Sequence, residues 1–377
     1  RRNTHSLKWN VKENELPMWV ADMDFQMAPE ILAVIQKRAA HGVFGYSIVP
    51  EGWYQAYTGW WGRRHGFSME KDWLIFCTGV VPAISSMVRK LTTVGENVLI
   101  QTPVYNIFFN SIVNNGRNVV ESPLRYDGNT WQMDFEDLER KLSDPQTTLM
   151  LLCNPHNPVG RVWTKEELTR LGDICVKHNV VVVSDEIHHD FVLPGYKHHV
   201  LAALDERFRE ITVTCTAPSK TFNIAGLQVS NIFISDRKMR EAFQKEIDKT
   251  GYSQLNQMGL AACEAAYRYG RDWLDQLLVY LKGNLDFARD FIHREMPGVK
   301  LVEPEGTFLL WLDCRELHIS DDELDRMMVE KAKLWLDGGR MFGPCGAGYQ
   351  RINMACPRVT LEKALIRFAE AVRTLEI

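Results

Sequence analysis

Thr148-Leu149-Met150-Leu151-Leu152-Cys153 and Val180-Val181-Val182-Val183-Ser184 frame the part of this chain that decides its fold. Each is a short run, apolar on both faces, as expected of a strand covered by helices on either side. Between them, Thr164 to His178 reads as an amphipathic helix. Thr164 stands at its N-cap, and Glu167 three residues on completes a capping box. Strand, helix and strand in that order make a βαβ unit, hence a parallel pair. Working outward, similar runs occur at Trp73 to Cys77, Asn97 to Gln101, Val119 to Pro123, Ile211 to Cys215 and Val229 to Ile234. The expectation is an α/β fold built on a mostly parallel seven-stranded sheet.

The pattern changes after this region. Ser253 to Tyr269 and Arg271 to Glu295 read as long helices, the second a bridge between domains. A smaller α+β unit follows, with strands at Val299 to Val302, Thr307 to Asp313 and Gln350 to Met354 and helices near 321–335 and 360–375. Near the start, an extended segment, Leu16 to Phe25, precedes a helix after Pro29. The expected division is a large domain over 41–280 and a small one made of 1–40 with 281–377. No internal repeat or low-complexity linker is visible.

At 377 residues the chain is long enough for two domains sharing a large core. Its net charge of −4, from 44 basic and 48 acidic residues, is interspersed and argues against a nucleic-acid surface. The eight cysteines form no CxxC pair and read as free thiols of a reducing, cytoplasmic compartment. No apolar run is long enough to span a membrane, no signal peptide is visible, and no metal site is expected. The chain opens on Arg1-Arg2-Asn3 rather than Met, which leaves open both missing leading residues and a removed targeting segment.

Chemistry enters where strands end. Asp185 follows the valine-rich strand, and a carboxylate at that end of an open α/β sheet faces the ligand crevice. Read blandly, it is a turn aspartate or a helix cap. Asn157 lies in Asn154-Pro155-His156-Asn157-Pro158, directly after the strand that ends at Cys153; Asn-Pro by itself marks turns. Lys220, in Ser219-Lys220-Thr221-Phe222-Asn223-Ile224-Ala225-Gly226, follows the strand ending at Cys215. Held in a cleft, such a lysine loses basicity and becomes an amine nucleophile. Lysine, aspartate and asparagine at three successive strand ends are what a pyridoxal-phosphate (PLP) site needs: a Schiff-base amine, a pyridinium partner and a donor to the ring oxygen.

Other residues fit around these three. Gly79, Val80 and Val81 open a helix after a strand, and a helix N-terminus is an anion site suited to a cofactor phosphate. Ser219 adds a hydroxyl donor, and His188 a second group for the ring oxygen, although it also reads as a surface histidine beside His189. Tyr105 reads either as a ring stacked on the cofactor or as a core aromatic. Arg351 is a charge inside an otherwise apolar strand, so it requires a carboxylate partner. Two partners stay open: the α-carboxylate of a substrate, or a structural Asp or Glu.

Together these segments resemble fold-type I PLP enzymes, the aspartate aminotransferase superfamily of classes I and II. More narrowly they look like the MalY/PatB branch of cystathionine β-lyases. Trp19-Val20-Ala21-Asp22-Met23-Asp24-Phe25, Gly79 to Ile84, the Asn-Pro-His-Asn-Pro segment, Asp185-Glu186-Ile187-His188 and the lysine segment carry the likeness, which runs essentially end to end. It implies the PLP-dependent transferase fold of type I. Lys220 would hold the cofactor and shuttle the Cα proton, with Asp185 on the pyridinium and Asn157 and His188 on the ring oxygen. Gly79, Val80, Val81 and Ser219 would hold the phosphate, and Arg351 the substrate carboxylate. Tyr46 matches a tyrosine that reaches the phosphate of a neighbouring subunit, so a homodimer is implied. The family's usual tyrosine three residues after the aspartate is His188 here, as in the lyase branch. Gln228 stands where aminotransferases carry a phosphate-binding arginine.

The resemblance implies β-elimination from L-cystathionine or another cysteine S-conjugate, giving a thiol, pyruvate and ammonia. The alternative is an aminotransferase, which shares every step up to the carbanion. A further role in binding a regulatory protein is implied by some members of the branch. No nucleic acid or membrane partner is expected.

Overall fold

The computed structural model describes residues 1–251 and 254–375. Seven strands form the large sheet: β1 (Leu74–Cys77), β2 (Asn97–Ile100), β3 (Asn118–Glu121), β4 (Thr147–Cys153), β5 (Val181–Asp185), β6 (Thr212–Thr216) and β7 (Ser230–Ile234). Their spatial order is β1-β7-β6-β5-β4-β2-β3. Only β7 runs antiparallel, pairing with β1 and β6. Every strand read from the sequence is present, shifted by a residue or two at its ends. The helix Lys165–Lys177 carries the expected capping box, Thr164 with Glu167.

Helices cover both faces, which is why the central strands could be read as continuous apolar runs. Val80–Leu91 and Arg237–Lys249 bury Ala83, Met87, Phe243 and Ile247 against one face. Phe135–Leu142 and Lys165–Lys177 bury Leu138, Leu168 and Leu171 against the other. The helix Gln257–Tyr269 is capped by Asn256; the expected start at Ser253 lies outside the described residues.

A four-stranded antiparallel sheet forms the second unit, with β8 (Lys300–Val302), β9 (Leu309–Asp313), β10 (Asp337–Gly338) and β11 (Tyr349–Asn353) in the order β8-β9-β11-β10. The helix expected over 321–335 is shorter: Asp321–Arg326 runs into a π turn at Met327–Lys331. Leu334–Trp335 then pairs in parallel with Leu16–Pro17 as a separate two-stranded sheet, tying the N-terminal segment to this unit. The helix Pro29–His41 packs instead on Gln257–Tyr269, and Arg271–Glu295 runs unbroken through residue 280 against Arg358–Val372. Trp311, Phe342 and Tyr349 of the second unit enter the same apolar cluster as Leu168 and Leu171. The units thus share core, and a cleft lies along their seam.

No helix among the described residues is long and apolar enough to cross a membrane. All eight cysteines are free thiols, seven of them buried.

Candidate active site

Strand register aligns the site. Cys153 pairs with Asp185, and Asp185 with Cys215, so β4, β5 and β6 finish side by side at one edge of the sheet. The loops leaving that edge carry Asn157, His188 and the short helical turn Pro218–Thr221, which bears Lys220. These residues line one cavity of about 500 Å³, together with Gly79, Val80, Val81, Tyr105, Ser219 and Arg351. Of the residues named from the sequence, only Tyr46 and Gln228 lie elsewhere. Both border a neighbouring surface crevice, which shares Thr78 with the main cleft. Tyr46 is 97% exposed, on a segment that also exposes Val43, Phe44 and Ile48.

The charges in the cleft are strongly perturbed. Burial lowers the Lys220 amine to about 8, helped by the Arg351 cation and opposed by Asp22 and Asp185. Lys220 Nζ donates to the carbonyl oxygen of Ala21 at 2.5 Å. Burial lifts the Asp185 carboxyl to about 7, against the pull of the Ile187 N–H, 3.2 Å from Oδ1, and of the Lys220 charge. His188 is held well below the ordinary histidine range, chiefly by burial and then by Lys220 and Arg351. It is therefore neutral, and its Nδ1 has no hydrogen-bond partner among the described residues. Tyr105 donates its backbone N–H to the Asn157 carbonyl at 3.2 Å, and burial raises its phenol, which stays protonated.

The helix Val80–Leu91 begins at Gly79 without a side-chain cap. Its first intrahelical bond from this end is Ala83 N–H to the Gly79 carbonyl, which leaves the N–H groups of Val80 and Val81 free at the positive end of the helix. That is an anion cradle, and a Cβ added at Gly79 would come within 3.3 Å of the Pro82 ring. An anion cradle, a nucleophilic amine, a buried carboxylate and an unpartnered neutral imidazole fit the phosphate, aldehyde, ring nitrogen and ring oxygen of PLP.

Sequence reasoning missed several residues of this site. Asp337 of β10 is the carboxylate partner of Arg351: its Oδ2 accepts from Nη2. Arg351 also donates from Nη1 to Asn157 Oδ1 at 2.8 Å and from Nη2 to the Trp19 carbonyl at 3.2 Å. Asp337-Gly338-Gly339 reads as a turn, so nothing local announces this pairing. The Trp19 to Phe25 segment is fastened from several directions. Asn353 donates to the carbonyls of Val20 and Asp22, both at 2.7 Å, and Asn223 to those of Met23 and Phe25. Buried Lys8 pairs with Asp24 at 2.9 Å.

Beneath the lysine turn, Thr221 Oγ1 donates to Asp190 Oδ2 at 2.8 Å. His65 Nε2, His189 Nε2 and Arg64 Nε each lie 3.0 Å from the same carboxylate. Two histidines and a carboxylate could ligate a metal, but the guanidinium already supplies the neutralising charge there.

The fold and this site together define a PLP-dependent enzyme of fold type I. The chain belongs to the class I and II aminotransferase family, whose model matches residues 22–368, and within it to the MalY/PatB branch. It is 44% identical to cystathionine beta-lyase PatB of Bacillus subtilis, covering 99% of this chain and 98% of that one. Protein MalY of Escherichia coli is 35% identical over 96% of this chain and 92% of its own. Among solved structures, cystalysin from Treponema denticola, which contains PLP, superposes with a TM-score of 0.97 at 38% identity, covering 100% of this chain and 98% of that one.

Proposed function

We propose that this protein is a PLP-dependent carbon–sulfur β-lyase that cleaves L-cystathionine or another cysteine S-conjugate to a thiol, pyruvate and ammonia. The observation that carries the proposal is the convergence of Lys220, Asp185, His188, Asn157 and Arg351 on one cavity between the two units. The relatives named above, cystathionine beta-lyase PatB among them, support the same reaction.

Bound PLP supplies an electron sink for the pair left when the substrate's Cα–H bond breaks, which lets a thiolate leave the β-carbon. The rest falls to the chain. Lys220, with an amine near pH 8, has an uncharged fraction at neutral pH able to attack an aldehyde and later to take the Cα proton. Asp185 Oδ2 has no protein donor among the described residues; beside a pyridinium its carboxyl returns to the ionised form. The Asn157 amide, its oxygen engaged by Arg351, would offer its NH₂ to the ring oxygen, with neutral His188 as second partner. The N–H groups of Val80 and Val81 and the Ser219 hydroxyl would hold the phosphate. Tyr105 would flank the ring, and Arg351 would take the substrate's α-carboxylate. Leu7, Trp19, Ile107 and Met341 give the remaining lining an apolar character that receives the sulfur substituent.

The exposed apolar segment around Tyr46 supports a homodimer in which this segment covers a second copy. The free, mostly buried cysteines support a reducing, cytoplasmic location.

The test is to add L-cystathionine to the PLP-loaded protein with no 2-oxo acid present, and to follow pyruvate and free thiol together. Equimolar release that disappears in Lys220→Ala is the expected result. Retained release in that variant refutes the role of Lys220. One equivalent of 2-oxo acid with no thiol places the protein among the transaminating members of its family.

A further inference from the structure

Asp337 lines the cleft, yet the proposed chemistry gives it no task. It is 5% exposed and stands opposite Arg351 on the neighbouring antiparallel strand. Nη2 of Arg351 has two acceptors, Asp337 Oδ2 and the Trp19 carbonyl oxygen. Nη1 serves Asn157, and Nε has no partner among the described residues. A guanidinium grips a carboxylate with two parallel bonds along one of two edges, Nη1 with Nη2 or Nε with Nη2. Both edges include Nη2, and both of its hydrogens are engaged. An incoming carboxylate gains the two-bond grip only when one of these acceptors lets go, and repulsion between two carboxylates makes that one Asp337 rather than the uncharged Trp19 carbonyl.

We infer that Asp337 is a displaceable counter-ion: the substrate's α-carboxylate takes its place on Arg351, and Asp337 takes up one proton from solvent as it is displaced. The inference rests on the reading of Arg351 as the carboxylate site. Charge balance supplies the reason for the proton. Before binding, one buried cation faces one buried anion; after binding, two carboxylates would share it. Like charges held together in a buried site do not both stay ionised. Asp337 is already raised above the ordinary carboxyl range, because its burial outweighs the pull of Arg351. The other titratable groups nearby add no second cation to this pair. Tyr105 is a protonated phenol, and Asp325, which approaches Gly338 from the helix Asp321–Arg326, accepts from Gln350 at 2.7 Å. Lys220 and Asp185 share the cavity, where bound cofactor would engage both, and His188, which also faces Arg351, is neutral. Carboxylate ligands therefore bind more weakly as pH rises, by up to about tenfold per pH unit between the free and bound pKa values of Asp337.

The probe is 3-(methylthio)propanoate, which keeps the substrate's carboxylate and sulfur but lacks the amine that reacts with the cofactor. Its binding to the holoenzyme is measured by calorimetry at neutral pH in two buffers of different ionisation heat. The expected result is net uptake of a proton in the wild type, lost in Asp337→Asn. That variant binds the probe about tenfold more tightly, since a neutral amide competes less well for Nη2 than a carboxylate. Binding without proton uptake in the wild type overturns the inference. So does weaker binding by Asp337→Asn, the outcome for a residue that merely orients Arg351. Absence of uptake in the wild type needs no variant to overturn the inference, so the test stands even where Asp337→Asn fails to fold. Uptake that persists in Asp337→Asn overturns it as well, because the proton then goes to another group of the cavity such as Lys220 or Asp185. Unchanged probe binding in Arg351→Met removes the carboxylate reading of Arg351, and the inference falls with it.

Discussion

The Lys220 amine offers the sharpest quantitative test of the cleft. Burial and the Arg351 cation bring it to about 8, from an ordinary value of 10.5. At pH 7 that leaves about one amine in ten uncharged, against about one in 3,000 for an unperturbed lysine, a gain of ~300-fold in reactive base. The assay is pulse labelling of the cofactor-free protein with an amine reagent from about pH 6 to about pH 11, with the Lys220 peptide quantified by mass spectrometry. Exposed Lys238, in the same digest, serves as internal reference. The expected midpoint for Lys220 lies near 8, and it moves up in Arg351→Met because a neighbouring cation is removed. A wild-type midpoint in the ordinary lysine range would refute the claim that the cleft desolvates this amine. A midpoint unmoved by Arg351→Met would refute the electrostatic part alone.

Asp185→Asn keeps the shape of the site but cannot ionise, so pyruvate release should fall by about 100-fold or more while the protein remains folded by circular dichroism. Thr221→Val removes the 2.8 Å hydrogen bond to buried Asp190 and should cost about 1–3 kcal/mol in urea unfolding, with Thr221→Ser restoring most of it. Thr164→Ala breaks the capping box of the helix Lys165–Lys177 and should cost about 1 kcal/mol by the same measurement, leaving turnover unchanged.

Much of the architecture is local and therefore legible. The strands around Leu149–Leu152 and Val181–Val183 announce themselves because helices bury both of their faces, leaving no polar alternation to confuse the period. Thr164 and Glu167 mark a helix start through bonds only three residues long. Lys220, Asp185 and Asn157 are legible because each ends or closely follows a strand, and parallel strands in register bring such positions to one edge. The 321–335 region misled because its helical pattern continues past the point where Leu334–Trp335 is drawn off to pair with Leu16–Pro17, a partner distant in sequence.

By itself, then, the sequence determined the α/β class, the strand order along the chain and the residue types that can carry PLP chemistry, since all of these are set by periodicity, caps and strand ends. Tertiary structure alone decided which charges meet. Arg351 finds Asp337 across a strand pair and Asn157 from the other unit. The carbonyl of Ala21 finds Lys220 across the cleft. The acidity of Lys220 and Asp185 depends on how much water these encounters exclude and which ions they leave alongside. That is a property of the closed seam between two units, and no local pattern in either one encodes it.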